Sequence, residues 1–310
     1  MIRFGVDLGG SKIEIVALAA DGRVLFRRRM PTPQEGYSEV IAAVGTLVVA
    51  AETATGAAGS VGVGTPGSIS RASGRLRGSN SVCLNDRPIG DDLAACIGRA
   101  VRISNDANCF ALSEAVDGAG AGATTVFGII LGTGVGAGIV VRGQELVGPN
   151  AIAGEWGHNP MPWPEPDERP GPQCFCGQTG CIETFLSGPG LEREHLRSTG
   201  ANLAVPDIVA RAAAGDAACE ATLAHYEARL ARALAHVINI LDPDVIVVGG
   251  GLSNIARLYD NVPRLWTRWV FSDRVDTRFV RAAHGDAGGV RGAAWLWGDG
   301  AGPDGRGPAV

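Results

Sequence analysis

Apolar and polar positions alternate in short runs at the start of the chain. Residues 2–7 (IRFGVD) predict a strand that ends on Asp7, and residues 13–19 (IEIVALA) predict a second. Asp21-Gly22 supplies a hairpin turn into a third strand within DGRVLFRRRMPT. The period then lengthens, and residues 37–57 read as a helix. SVGVGTPGSI (60–69) is a strand running into a Gly/Pro turn, and DDLAACIGRA is a helix. VRISNDAN reads as a strand with a polar end, and CFALSEAVDGAG as the helix after it.

The opening pattern returns at residues 125–148, TVFGIILGTGVGAGIVVRGQELVG, again as strand, glycine turn, strand, turn, strand. Asp7-Leu8-Gly9-Gly10 aligns with Leu131-Gly132-Thr133-Gly134, which makes two copies of one unit. Residues 206–241 hold one long helical period. DPDVIVVGGGLS (242–253) is a buried strand feeding a glycine turn and a helix, and HGDAGGVRGAAWLW (284–297) is a small-residue helix. Duplicated units with strands preceding helices predict an α/β protein of two domains facing a cleft, where small ligands bind. The Gly/Pro-rich end of the chain, residues 301–310, reads as a disordered tail.

Charge and cysteine usage narrow the function classes. The 310 residues carry 27 Lys+Arg against 32 Asp+Glu, a formal charge of -5, so no basic field favours nucleic acid or an anionic membrane. No apolar run approaches the roughly 20 residues of a bilayer span, and MIRFGVDLGG reads as strand and turn, not as a signal peptide. Seven cysteines, an odd number over a long chain, fit a reducing compartment, and the cytoplasm is the expected location. Lys12 is the one lysine of the chain, and it lies in a glycine turn.

Three glycine turns carry candidate chemistry: DLGGSK, LGTGVGAG and VVGGGLS. Each follows a strand, and glycines there leave backbone amides open to phosphate oxygens. None has P-loop or dinucleotide spacing. Asp7 fits either a turn cap or a holder of hydrated Mg²⁺; Lys12 fits either a solvated strand residue or a phosphoryl contact. Asp106, after a strand and before a helix, fits either an N-cap or a base that accepts a substrate hydroxyl proton.

CFCGQTGCIET places Cys174, Cys176 and Cys181 within eight residues, with His158 sixteen before the first. A redox pair would prefer C-x-x-C. One imidazole and three thiolates make a closed, structural zinc site, with Gly177 and Gly180 forming the tight turn. Glu155 and Glu183 flank these ligands, and carboxylates pinned there suit vicinal sugar hydroxyls.

DLGGSK, SNDANC, LGTGVGAG, GEWGHN and CFCGQTGCIET, in this order from about Ile2 to Trp297, resemble the ROK family of sugar kinases and repressors. Stretches such as NDANCFALSEAVDGA, AGEWGHNPMPW and LAHVINILDPDVIVVGGGLSN look like bacterial fructokinases of the mannofructokinase type. The resemblance implies duplicated ribonuclease-H-like domains of the actin/hexokinase-type ATPase fold. The small lobe would hold residues 1–117 plus 288–300, and the second lobe 118–287. It implies a sugar kinase that transfers phosphoryl from Mg-ATP to the 6-hydroxyl of a hexose, with Zn²⁺ structural and a homodimer expected. By motif, Asp106 is the general base, and Asn105, Glu155, His158 and Glu183 bind sugar. Asp7 holds Mg²⁺; Asp7, Gly9, Gly10, Ser11 and Lys12 form the first phosphate turn; Gly132, Thr133, Gly134 and Gly136 form the second. Gly249, Gly250 and Gly251 face adenosine, and His158, Cys174, Cys176 and Cys181 hold zinc. Repressors of the family carry a helix-turn-helix segment ahead of the first turn, for which Asp7 lies too near Met1. SNSVCLND (79–86) is a candidate sugar-facing loop.

Overall fold

Each of the two apolar strand–turn–strand runs becomes the start of a five-stranded sheet in the computed structural model, which describes residues 1–79 and 81–298. The predicted C-terminal tail, 301–310, and residues 299–300 of the small lobe lie outside the described residues.

The first sheet takes β1 (Arg3–Leu8), β2 (Lys12–Leu18) and β3 (Val24–Pro31) as an antiparallel meander. Helix α1 (Tyr37–Thr55) leads to β4 (Ser60–Thr65), which pairs parallel with β1. A small β5–β6 ribbon (Ser68–Ile69, Leu76–Arg77) and α2 (Ile89–Ile97) precede β7 (Val101–Asn105), which runs parallel to β4. Helix α3 (Asp106–Val116) follows at once. The second sheet repeats the plan with β8 (Thr125–Leu131), β9 (Val135–Val141) and β10 (Gln144–Glu145). Helices α4 (Ile182–Leu186), α5 (Gly188–Thr199), α6 (Val205–Ala213) and α7 (Ala217–Leu241) come next. β11 (Val245–Gly249), α8 (Leu258–Trp266), β12 (Arg278–Arg281) and α9 (Gly288–Trp295) complete the chain. The sheet orders, β3-β2-β1-β4-β7 and β10-β9-β8-β11-β12, are the same sequence of roles, which is the duplication read from the glycine turns.

Three expectations about elements are corrected. The polar end of VRISNDAN is not strand: β7 stops at Asn105 and Asp106 opens the helix. The helical period at 206–241 is two helices, because Gly215 takes a left-handed φ of 93° and the Asp216 side chain caps α7 through the Ala218 and Cys219 amides. The absence of a long apolar run does not hold for α1, whose 19 residues are long and apolar enough to cross a membrane by length and composition. In the fold, Val40, Val44, Leu47, Val48 and Ala51 bury one face of α1 against Phe4, Val6, Ile13 and Ile15 of the first sheet, as in an amphipathic core helix.

The described chain divides into two compact units: residues 1–122, 138–153 and 283–298 in one, 123–137 and 154–282 in the other. The small lobe expected from the sequence lacked the β9–β10 hairpin. Residues 138–153, most of that hairpin, join the first unit, where Gly138 packs on the start of α3 so closely that a Cβ would lie 2.7 Å from the Ala107 carbonyl. In that unit α9 packs against β1 and β4. A Cβ on Gly62 would sit 1.9 Å from the Ala293 carbonyl, so the close approach of helix and sheet requires glycine there. The returning chain is fastened by Glu114, buried, which accepts from the backbone amides of Ala119, Ala283 and His284.

In the second unit, a buried ion cluster fastens the segment before the cysteines to α7. Glu168 accepts from Arg229 Nε at 2.7 Å and Arg232 Nη2 at 2.6 Å, and Arg232 also donates to the Trp163 carbonyl at 2.5 Å. Burial opposes the Glu168 charge, but hydrogen bonds from both arginines and from the Glu165 amide outweigh it and hold the pKa down at about 2. Glu168→Gln takes the carboxylate from buried Arg232 and leaves Arg229 only the longer pair with Glu194 at 3.5 Å, and is expected to cost about 3–5 kcal/mol in thermal or denaturant unfolding at pH 7. Because the folded-state pKa lies below the unfolded one, this stability is present above about pH 4.5 and fades as the pH falls toward 2. The gap between wild type and variant should close over that window.

Candidate active site

The first unit gathers one set of candidate groups. Asp7, near the end of β1, and Glu14 of β2 face each other across strands, and Glu14 in turn faces Arg29 of β3. Glu14 is buried and accepts from Arg27 Nε and from Arg29 Nε at 2.9 Å and Nη2 at 2.6 Å. Burial pushes its carboxyl up, but these hydrogen bonds prevail and hold it low. Among the described residues Asp7 has no such partner. Burial first, then the charges of Asp106 and Glu14, raise its pKa to about 6, against the pull of Lys12 and Arg29. A carboxylate crowded by other carboxylates and short of hydrogen bonds suits a divalent cation. Since the folded pKa is raised, the fold favours protonated Asp7, and this stability is lost as pH rises from about 4 through 6. Asp7→Asn is therefore expected to stabilise the protein at pH 8 by about 1–3 kcal/mol, with no gain at pH 4. Differential scanning calorimetry at the two pH values checks this.

The choice left open for Asp106 falls to its neighbour. Asn105 is the N-cap of α3, its Oδ1 accepting from the Ala107 amide at 2.9 Å, and Asp106 is the first helical residue, also accepting from that amide at 2.8 Å. Asn105 Nδ2 donates to the Gly67 carbonyl at 3.1 Å, so this expected sugar ligand is fastened at both ends. Asp106 stands where the helix dipole favours negative charge. The buried Cys109 thiol, one helical turn on, is pushed up by burial and by three carboxylates, Glu145, Asp106 and Asp7, which converge on it. Glu145 escaped the sequence reading. It follows a Gly143 turn with no periodic signal, and only the fold brings it to Ser104, whose Oγ donates to it at 2.5 Å. In the 79–86 loop, Ser79 and Asn85 exchange two hydrogen bonds, and the Ser81 hydroxyl is buried beside Gly10; Asn80 lies outside the described residues.

The second unit gathers the other set. One ligand atom from each of His158, Cys174, Cys176 and Cys181 lies within 4.8 Å of the rest. Cys174 Sγ is 3.6 Å from His158 Nδ1, and Cys176 Sγ is 3.6 Å from Cys181 Sγ. A tetrahedron with Zn–S of about 2.3 Å and Zn–N of about 2.0 Å has edges of about 3.5–3.8 Å, so the residues fit zinc. Backbone hydrogen bonds from Cys174 N to Gln178 O and from Gly177 N to Cys174 O fold the knuckle, with Gly177 and Gly180 at positive φ. Left to themselves, the thiols compete: burial and its two thiol neighbours push Cys181 up to about 12. A cation reverses that order by stabilising all three thiolates. With Nδ1 turned to the thiols, His158 has Nε2 on the far side of its ring for a second partner.

Cys181 starts α4, and Glu183 in its first turn accepts from the Val135 amide at 2.9 Å. The knot is thereby tied to the second glycine turn, which Gly188 also pins by donating to the Gly132 carbonyl at 2.8 Å. Glu155 caps the Trp156–His158 turn position without a side-chain bond and is exposed. Thr133 is exposed, Gly134 lies against Glu183, and Gly136 is inside β9. In the third turn, Gly250 has a φ of 80° and a Cβ there would lie 2.3 Å from the Leu131 carbonyl, so packing alone demands glycine. Gly249 ends β11, and Gly251 opens on free space.

Residues 3–299 match the ROK family. The chain belongs to the ROK family. It is 40% identical over 297 residues to an N-acetyl-D-glucosamine kinase of Salmonella paratyphi C, covering 94% of this chain and 98% of that one. The ROK hexokinase of Thermus thermophilus superimposes with a TM-score of 0.85 at 31% identity, covering 96% of this chain and 97% of that one. A ROK glucokinase of Streptomyces griseus, solved with glucose and AMPPNP, gives a TM-score of 0.75 at 27% identity over 96% and 99% of the two chains. The duplicated sheets are those of the actin/hexokinase-type ATPase fold.

Proposed function

We propose that this ROK protein is an ATP-dependent sugar kinase that moves the γ-phosphoryl group of Mg-ATP to the 6-hydroxyl of a hexose, fructose foremost. The observation that carries the reading is the pairing of Asp106, the opening residue of α3, with the raised carboxyl of Asp7 beside a glycine turn. One carboxylate takes the hydroxyl proton while the other keeps the cation near the transferring group. The family likeness assigns Asn105, Glu155, His158 and Glu183 to the sugar and Gly9 to Lys12 and Gly132 to Gly136 to phosphates. It assigns Gly249 to Gly251 to the adenosine and His158, Cys174, Cys176 and Cys181 to a structural zinc. On this reading O6 of the sugar is aligned with the γ-phosphoryl group and the reacting atoms are kept from water. A homodimer, checked by light scattering, and a cytoplasmic location belong to the same reading.

Fructose is favoured by the likeness of AGEWGHNPMPW and its companion stretches to fructokinases. N-acetyl-D-glucosamine is the second reading, favoured by the Salmonella relatives at 39–40% identity. Coupled ADP release with Mg-ATP over fructose, mannose, glucose and N-acetyl-D-glucosamine decides between them by kcat/KM. No turnover on any hexose would overturn the kinase reading.

A further inference from the structure

We propose that Thr32 is the positioning residue of the first glycine turn, holding it by its carbonyls so that its amides face the phosphoryl donor. Thr32 is buried, just past the end of β3. Its Oγ1 donates to the Gly9 carbonyl at 2.7 Å, and its backbone N–H donates to the Ser11 carbonyl at 3.0 Å. Its own carbonyl accepts from Gln34 Nε2 at 2.9 Å. Gly9 N donates to the Lys12 carbonyl at 3.0 Å and closes the turn from within.

The consequence follows from peptide geometry. In a trans peptide the C=O and the N–H of the next residue point in opposite directions. Drawing the Gly9 carbonyl toward Thr32 turns the Gly10 N–H away from it, and drawing the Ser11 carbonyl does the same to the Lys12 N–H. Among the described residues no protein acceptor takes the Gly10 amide. An amide turned outward because the carbonyl before it is engaged suits an anion-binding concavity. The clamp is stiff because Thr32 lies between Pro31 and Pro33, which fix their own φ and hold the residues before them extended. The second unit uses the same device, with the Gly188 amide on the Gly132 carbonyl.

The inference rests on the first glycine turn binding phosphate, and the test separates the two. Thr32→Val keeps the shape and loses the donor; Thr32→Ser keeps the donor. Thr32→Val is expected to raise KM for ATP and the Kd of Mg-AMPPNP by about tenfold, the scale of one buried acceptor left unpaired. KM for the sugar should stay within about twofold, and Thr32→Ser should restore nucleotide affinity. Thr32→Ala carries the same expectation should the valine variant not fold. A Thr32→Val protein with a lowered Tm but unchanged KM for ATP and Mg-AMPPNP affinity overturns the proposal, as does a serine variant that rescues nothing. Lys12→Ala is the reference arm. If it raises KM for ATP and Thr32→Val does not, the clamp alone falls; if neither does, the phosphate reading of the turn falls with it.

Discussion

Asp106→Asn is expected to lower kcat by about 10²–10⁴-fold while leaving the affinity for sugar within a few-fold of wild type, the usual scale for removing a general base. The substitution is nearly isosteric. Asparagine keeps an oxygen for the Ala107 amide, and Asn105 keeps the cap, so α3 still starts where it does. On the proposed reading, what disappears is the group that accepts the hydroxyl proton. Removing its charge also relieves Asp7, whose raised pKa owes its second-largest contribution to Asp106, so the variant should hold Mg²⁺ no worse. Single-turnover rates and calorimetric sugar titration measure the two halves of the expectation. Near-normal turnover would take Asp106 out of its role.

Cys181→Ser is expected to lower bound zinc from about one per chain to near zero and to raise KM for the sugar by an order of magnitude or more. Cys181 is buried, bonds the His158 carbonyl through Sγ, and is the residue from which α4 starts. Serine fits the space, but a neutral alcohol does not replace a thiolate on zinc. On the zinc reading, His158 would lose the partner that orients its ring, while Glu183 keeps its bond from the Val135 amide to the second glycine turn. Cys219→Ser, a buried thiol on α7 outside the cluster, serves as the control and should keep its zinc. Elemental analysis of both proteins reads the result directly. A metal-free chain with wild-type KM would remove zinc from the account.

Much of the candidate site was legible because its chemistry is local. Three thiols within eight residues, a carboxylate at a strand end, and glycines between strands each constrain the chain over a few residues, and sequence displays such spacing openly. The duplicated sheets were legible for the same reason: strand, glycine turn and strand recur with one period. The start of α3 was not, since Asn and Asp both cap helices and only the hydrogen bonds distinguish Asn105 from Asp106. The break at Gly215 was missed because apolar spacing continues through it from α6 into α7.

From sequence alone came the ROK likeness, the duplication, the thiol–imidazole set and the candidate acids Asp7, Asp106, Glu155 and Glu183. Tertiary structure alone decided that Glu145 reaches Ser104, that Glu183 ties the knot to the second glycine turn, and that Thr32 grips the first. Those partners lie 23 to 48 residues apart in the chain. A hydrogen bond over such distances leaves no periodic trace; it exists once packing of apolar faces has already brought the strands together.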